Sequence, residues 1–289
     1  MIKKGFLRIA IFFLRLISFL PLWLLFGVSN ILYYLIYYLV KYRRQVVRKN
    51  LTNSFPDKEL PEIIAIEKRF YRYFADLIVE FIKMSSMSKA EVLKHVKMKN
   101  FEQVEAYFQQ GESALACSGH YGNWELGMLA AGLKFSAAPH VIYKPINNKV
   151  FEDWFNAVRT KFGNVFIPMK QTLREVVATK HKPTLFCFAS DQSPMLIDVQ
   201  HIIPFMHQPT AVLLGLEKIA KQTNRPVFYF DVRRFARGYY EIECVPLCLN
   251  PKATEEYEIT KLFFKNLTQS IYKAPEYWLW SHNRWKRNG

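Results

Sequence analysis

Apolar residues dominate the start of the chain from Phe6 to Val40, and Leu16 to Val40 is 25 residues without a charge. As one helix this run would extend roughly 37 Å, enough to cross a hydrocarbon core of about 30 Å with some tilt. From Glu59 to Met84 the pattern changes. Ile63, Ile66, Phe70, Phe74, Ile78 and Phe81 recur at helical spacing, predicting a long amphipathic helix whose aromatics belong to the core. Ser88 caps a short helix, and Asn100 to Gln110 forms another, closed by Gly111. Then strand-like and helix-like runs alternate. The strands are Ala114–Cys117, Val141–Tyr143, Val165–Pro168 and Thr184–Ala189; the helices between them are Trp124–Leu133, Val150–Phe162 and Thr172–Lys180. Thr210 to Gln222 reads as a further helix, Pro226–Arg233 and Tyr239–Pro246 as a hairpin about Ala236-Arg237-Gly238, and Glu255 to Lys273 as the last helix. Strands spaced by helices predict an α/β fold with a mixed, largely parallel sheet flanked by helices. With no repeat and no dividing linker, residues 1–49 form an N-terminal membrane anchor and 50–289 a single α/β domain.

Charge sharpens this picture. The formal net charge is +16, and nine Lys or Arg precede the first acidic residue, Asp57. Those nine are Lys3, Lys4, Arg8, Arg15, Lys41, Arg43, Arg44, Arg48 and Lys49, so the excess flanks the apolar run, which favours a membrane surface over nucleic acid. Trp23 and the tyrosines at 33, 34, 37 and 38 suit a membrane interface, and the denser basic cluster after the run orients the body toward the cytoplasm. The length of the run, Arg15 in its front and the lack of a small-x-small cleavage site point to an anchor rather than a signal peptide. Pro21 and Arg15 leave two arrangements open, a single span or a hydrophobic helix lying in one leaflet. Cys117, Cys187, Cys244 and Cys248 have no zinc spacing, and buried reduced thiols are expected.

Candidate chemistry gathers where strands end, since ligands of open α/β sheets bind at the carboxyl edge. Cys117-Ser118-Gly119-His120-Tyr121-Gly122-Asn123-Trp124-Glu125 is a strand, a sharp turn and a helix start, with Asn123 at the N-cap. His120 stands at the lip and Glu125 in the first helical turn, where its carboxylate can fold back to fix the imidazole as a general base. A structural histidine hydrogen-bonded to a nearby carboxylate fits the same stretch. Lys144 follows the second strand and Asp191-Gln192 the fourth, each open to a solvated-loop role. Cys117, three residues before His120, sits inside the strand and is not expected to be a nucleophile.

Several blocks occur together in order: His120-x4-Glu125; Tyr143-Lys144-Pro145 with Asn147-Asn148; Arg159; Asp191-Gln192 with Pro194; and Ile203-Pro204-Phe205 with Thr210. The tail Ala274-Pro275-Glu276-Tyr277-Trp278-Leu279-Trp280-Ser281-His282-Asn283-Arg284-Trp285-Lys286 completes the set. From anchor to C-terminus the chain resembles the late acyltransferases of lipid A biosynthesis, of the lauroyl/myristoyl type. The resemblance implies a glycerolipid-acyltransferase-like fold and an enzyme of the Gram-negative inner membrane. It would move a fatty acyl chain from acyl carrier protein to a hydroxyl of a lipid A precursor, with no cofactor, no metal and no nucleic acid. His120 and Glu125 would be catalytic, and Arg159, Asp191, Gln192, Lys144, Asn123 and Arg284 would bind substrate. Another glycolipid, an aminolipid or a lysophospholipid is the alternative acceptor. Relatives acting on glycerol phosphate carry Asp in place of Glu125 and a later Pro-Glu-Gly-x-Arg block, which this chain lacks. Two departures touch the acceptor: Lys144 stands where the family commonly has Arg, losing a bidentate fork, and His282-Asn283-Arg284 where it commonly has His-Arg-Arg. Trp278, Trp280 and Trp285, interleaved with Arg284, Lys286 and Arg287, suit either the core or the membrane interface.

Overall fold

A computed structural model describes residues 2–195 and 199–286, with side chains from residue 5 onward; Arg287 lies outside the described residues. The apolar N-terminal run is not one helix. α1 (Ile2–Ser18) and α2 (Leu22–Tyr34) are separated at Pro21, which caps α2. A proline inside the continuous helix would lose a hydrogen bond and clash with the preceding turn, so the chain breaks there. α2 continues into a π-helical turn, Leu35–Leu39, and Leu22 to Leu39 is long and apolar enough to cross a membrane.

These helices lie against the body. Leu25, Ser29, Tyr33 and Tyr37 recur every fourth residue and are buried, on the side of α2 that packs along α4 (Leu60–Met84). Ser29 Oγ donates to Asp76 of α4 at 2.6 Å. The outward side stays apolar, with Phe6, Ile9, Phe12 and Phe13 of α1 and Trp23, Val28 and Ile31 of α2 exposed. A soluble surface rarely leaves so large a contiguous apolar patch uncovered. α3 (Arg44–Ser54) spans the expected boundary at residue 49 and fastens both sides of it to the body. Arg44 and Arg48 pair with the buried Glu67 of α4, and Asn50 donates to the Trp280 and His282 carbonyls of the tail at 2.9 and 3.0 Å.

The body holds a seven-stranded sheet in the order β1-β9-β8-β2-β5-β3-β4. The strands are β1 (Val96–Lys99), β2 (Ala114–Ser118), β3 (Pro139–Tyr143), β4 (Val165–Pro168), β5 (Leu185–Ala189), β8 (Val227–Ala236) and β9 (Tyr239–Cys248). β8, β2, β5, β3 and β4 pair in parallel, β9 returns antiparallel to β8, and β1 runs parallel to β9. The expected α/β class, the alternating strands and the β8–β9 hairpin are all present. α7 (Trp124–Lys134) and α8 (Lys149–Arg159) cross over one face; α9 (Thr172–Ala178) returns over the other, as right-handed crossovers require when the strand order reverses. β3 carries the signature of both faces. Tyr143 Oη donates to Glu152 and accepts from Asn156, both of α8, whereas His140, an odd number of residues away, reaches Glu175 of α9 at 3.3 Å.

One expected helix begins elsewhere. Thr210 belongs to β7 (Gln208–Ala211), which forms a two-stranded hairpin with β6 (Ile202–Phe205); α10 starts later, at Gly215–Thr223. Met206 and His207 form the turn with φ of 50° and 61°, the geometry of a tight hairpin without the Asn or Gly that normally announces it. α11 (Glu258–Lys273) then leads into the tail. Trp278, Trp280 and Trp285 are all buried, so the tail's tryptophans serve the core and not a membrane interface.

A buried carboxyl lies under the His120 loop. Glu80 of α4 accepts from Asn123 Nδ2 at 2.6 Å and from Tyr240 Oη at 2.7 Å, while its second oxygen has no hydrogen-bond partner among the described residues. Burial pushes this group up to about 7 against the pull of Tyr240, Arg234 and Asn123. The folded chain therefore holds a proton that the unfolded chain releases above its ordinary value of about 4.3, and stability falls as pH rises between these values. Denaturant titrations of the wild type and Glu80→Gln should show the difference shifting toward the variant by about 2–3 kcal/mol between pH 5 and 8. A difference independent of pH would show that Glu80 is already ionised in the fold.

Candidate active site

The His120 loop is shaped by two glycines. Gly122 has φ +59°, and a Cβ there would lie 2.5 Å from Val232 Cγ1; at Gly119 it would lie 2.6 Å from Leu267 Cδ1. The loop is thereby pressed onto the sheet and onto α11. The tail completes it from the other side. Tyr121 bridges Trp278, Gly122 N–H donates to the Tyr277 carbonyl, and Leu279 N–H donates to the His120 carbonyl, both at 3.0 Å. Asn123 accepts from Leu126 N–H at 2.9 Å as the N-cap of α7 and donates to Glu80. It is 2 % exposed, so its side chain is spent on structure and not turned toward a substrate.

His120 meets a carboxylate, and it is not Glu125. Its Nδ1 lies 2.6 Å from Asp191 Oδ1, and its backbone N–H donates to Asp191 Oδ2 at 2.8 Å. Trp278 Nε1 donates to the same oxygen at 2.9 Å. Burial alone would raise Asp191, but the facing imidazole and these donors hold it down to about 2. Burial likewise disfavours a charged His120, but the Asp191 charge and hydrogen bond outweigh it and raise the imidazole above its usual value. With Nδ1–H committed to Asp191, the neutral ring presents its Nε2 lone pair, which Gln192 Nε2 approaches to 3.0 Å. Trp124 packs edge-on against the ring at 5.0 Å between centroids.

Glu125 points to α8 instead. Arg159 grips it with both Nε, at 2.8 Å, and Nη2, a bidentate fork that neutralises the carboxylate. Arg159 also lies over Phe155 and Phe166, 5.1 and 5.3 Å from their ring centroids. The expected Glu125–His120 contact is therefore replaced by Asp191–His120 and Glu125–Arg159. The cause is local geometry. Glu125 is already within the helical turn begun at Asn123, so its side chain projects to the neighbouring helix. Both charges still act on His120 at longer range, Glu125 favouring the imidazolium and Arg159 opposing it.

Two residues of the tail also reach the centre. His282 Nε2 accepts from Ser193 N–H at 3.3 Å, and burial pushes this imidazole down to about 4. Arg284 is 2 % exposed; Nη2 donates to the Ala211 carbonyl at 2.7 Å, while Nε and Nη1 have no hydrogen-bond partner among the described residues. Burial brings its guanidinium down to about 10, with the Asp191 charge opposing. His282 carried no expected role, though the tail around it did. Lys144 is exposed beyond β3, at the same edge of the sheet, apart from the His120 cluster. Cys117 is buried in β2 with its Sγ 3.5 Å from the Phe228 carbonyl, and burial pushes its thiol up, unlike a nucleophile. Among the described residues no group of three or more His, Cys, Asp or Glu is placed to hold a metal ion.

A buried Asp, an imidazole with one free nitrogen and an amide beside it form a general-base arrangement at the carboxyl edge of the sheet. Comparisons with known proteins identify the family. The family model for bacterial lipid A biosynthesis acyltransferases matches residues 2–287. The lipid A biosynthesis palmitoleoyltransferase of Escherichia coli (strain K12) is 22 % identical over 248 residues, 86 % of this chain and 80 % of that protein. The lipid A biosynthesis acyltransferase of Shigella flexneri matches to the same extent, 22 % over 248 residues. The match runs from the first helix through the tail that closes the His120 loop, and the chain belongs to the bacterial lipid A biosynthesis acyltransferases.

Proposed function

We propose that this acyltransferase moves a fatty acyl chain from the thioester of acyl carrier protein to a hydroxyl of a lipid A precursor, with His120 as the base. The observation that carries this reading is the Asp191–His120 pair at 2.6 Å, which commits Nδ1 and leaves Nε2, with only the Gln192 amide against it, to take a proton. Neutral His120 removes the hydroxyl proton at Nε2 as the oxygen attacks the thioester carbonyl. Asp191 stabilises the imidazolium so formed. The tetrahedral oxyanion then collapses, the carbon–sulfur bond breaks, and the departing thiolate takes the proton back from Nε2. The Gln192 amide now against Nε2 yields to the incoming hydroxyl and is then placed to donate to the oxyanion. Glu125 and Arg159 act as a charge-balanced pair beside the base, and Arg284, with two guanidinium nitrogens unpartnered among the described residues in a buried setting, answers to an anionic part of the substrate. The apolar outer faces of α1 and α2 hold the enzyme to the inner membrane with its body on the cytoplasmic side.

His120→Ala should lower kcat by about 10²–10⁴-fold with folding intact, measured with acyl carrier protein thioester and lipid A precursor. Unchanged turnover would remove His120 from the mechanism. Because the base must be neutral, the acidic limb of kcat/KM should lie above the ordinary histidine value of about 6.5. Asp191→Asn removes the charge that raises His120, so it should slow the reaction and move that limb to lower pH.

Glu125→Gln leaves the Arg159 charge unopposed and should also lower the limb, while Glu125→Gln with Arg159→Gln together should return it toward the wild-type position. A double variant shifted further than the single one would show that the two charges do not act as a pair. For the anchor, Phe12→Asp with Phe19→Asp should reduce flotation with anionic vesicles at unchanged circular dichroism. Flotation equal to wild type would place the membrane contact elsewhere.

A further inference from the structure

Beyond the site, an exposed ribbon of cations and apolar side chains runs along α9 and the turn that leads into it. Met169, Leu173 and Val177 recur every fourth residue and are 43, 54 and 58 % exposed. Lys170 and Arg174 follow the same spacing one position later, and Lys180 and Lys182 continue the charge beyond the helix. All four cations are exposed, and among the described residues no carboxylate forms an ion pair with any of them. Glu175 is the only acid between Arg159 and Lys182, and it is turned inward to His140. An apolar stripe beside a cationic one is a surface for an acidic amphipathic helix.

The sheet register ties this ribbon to the site. Ala116, Cys187, Val141 and Phe166 stand in one row across β2, β5, β3 and β4. His120, Asp191 and Lys170 each lie four residues beyond that row on their own chains, and Lys144 lies three beyond it. Three strand spacings separate β2 from β4, so the ribbon begins about 14 Å from the base along the same edge. A pantetheine arm can cross that distance.

We propose that the Met169–Lys182 ribbon is the docking face for the acidic carrier protein that delivers the acyl thioester. This rests on the donor assigned under the proposed function. An anionic membrane would also attract cations and apolar groups, but α9 covers the opposite face of the sheet from α8, against which the membrane-facing α1 packs. The carrier therefore approaches from the side away from α1, its arm passing Lys144 on the way to His120.

The test compares two donors, acyl carrier protein thioester and the corresponding acyl-pantetheine, which has the arm without the protein. Lys170→Glu with Arg174→Glu should raise KM for the carrier thioester at least tenfold, leave kcat near wild type, and leave kinetics with acyl-pantetheine unchanged. Leu173→Gln with Val177→Gln should do the same in smaller measure, and Lys170→Arg should behave as wild type. Reversing the exposed Lys252 and Lys265 to Glu matches the charge change elsewhere and should have no effect. An unchanged KM for the carrier thioester, or an equal rise with both donors, overturns the docking face and leaves the donor reading standing. Loss of vesicle flotation without a change in carrier KM assigns the ribbon to the membrane and overturns it too. A wild-type enzyme that accepts acyl-pantetheine but not the carrier thioester overturns the donor reading, and the docking face with it.

Discussion

One buried carboxylate organises the carboxyl edge of the sheet in this protein. Asp191 is almost fully enclosed, and an ion in such a place is tolerated only when its oxygens are satisfied. It takes the backbone and ring of His120 and the indole of Trp278, three donors from two distant parts of the chain. Each of those donors is placed by something else. Gly119 and Gly122 let the His120 loop settle on the sheet, and Trp278 is held by a tail that pairs with the loop in two hydrogen bonds. The charge that makes His120 a stronger base is thus the same charge that draws β2, β5 and the tail together.

The second constraint is the uncovered apolar surface of α1 and α2. The body accepts one side of α2 through specific polar contacts as well as packing, Ser29 and Asn30 reaching Asp76 and Arg237, and α3 adds Arg44 and Arg48 on Glu67. Asp76 also binds Arg234 and Arg237 near the tip of the β8–β9 hairpin, so α2, α4 and the hairpin share one ion network. With α2 fixed along its length to α4, the apolar segment and the body move as one unit. A helix attached only by a tether would behave differently.

Much of this was legible in the sequence because much of it is local. Strand ends at Ser118, Tyr143 and Ala189 follow from short apolar runs, and the ordered polar residues beyond them follow from the geometry of parallel sheets. What was not legible depends on pairing between distant segments. Glu125, five residues from His120, was the natural partner by proximity, whereas the true one is 71 residues on. Only the register of β2 against β5, Ser118 opposite Ala189, puts positions 120 and 191 side by side. The β6–β7 hairpin escaped notice because Met206 and His207 adopt left-handed backbone without a glycine to signal it. The break at Pro21 follows from its own ring and missing N–H, but the packing of α2 along α4 depends on segments far apart in the chain.

The pairing of the tail with the His120 loop has a kinetic meaning. Contacts between residues near 120, 191 and 278 close loops of many tens of residues, and such closures are slow relative to local helix formation. Until Trp278 arrives, Asp191 lacks one of its donors and the loop lacks its second edge. The return of the tail to the His120 loop spans more of the chain than the β2–β5 or β2–β8 pairings, so the centre is complete only when the C-terminal segment docks, whatever the order in which the strands pair.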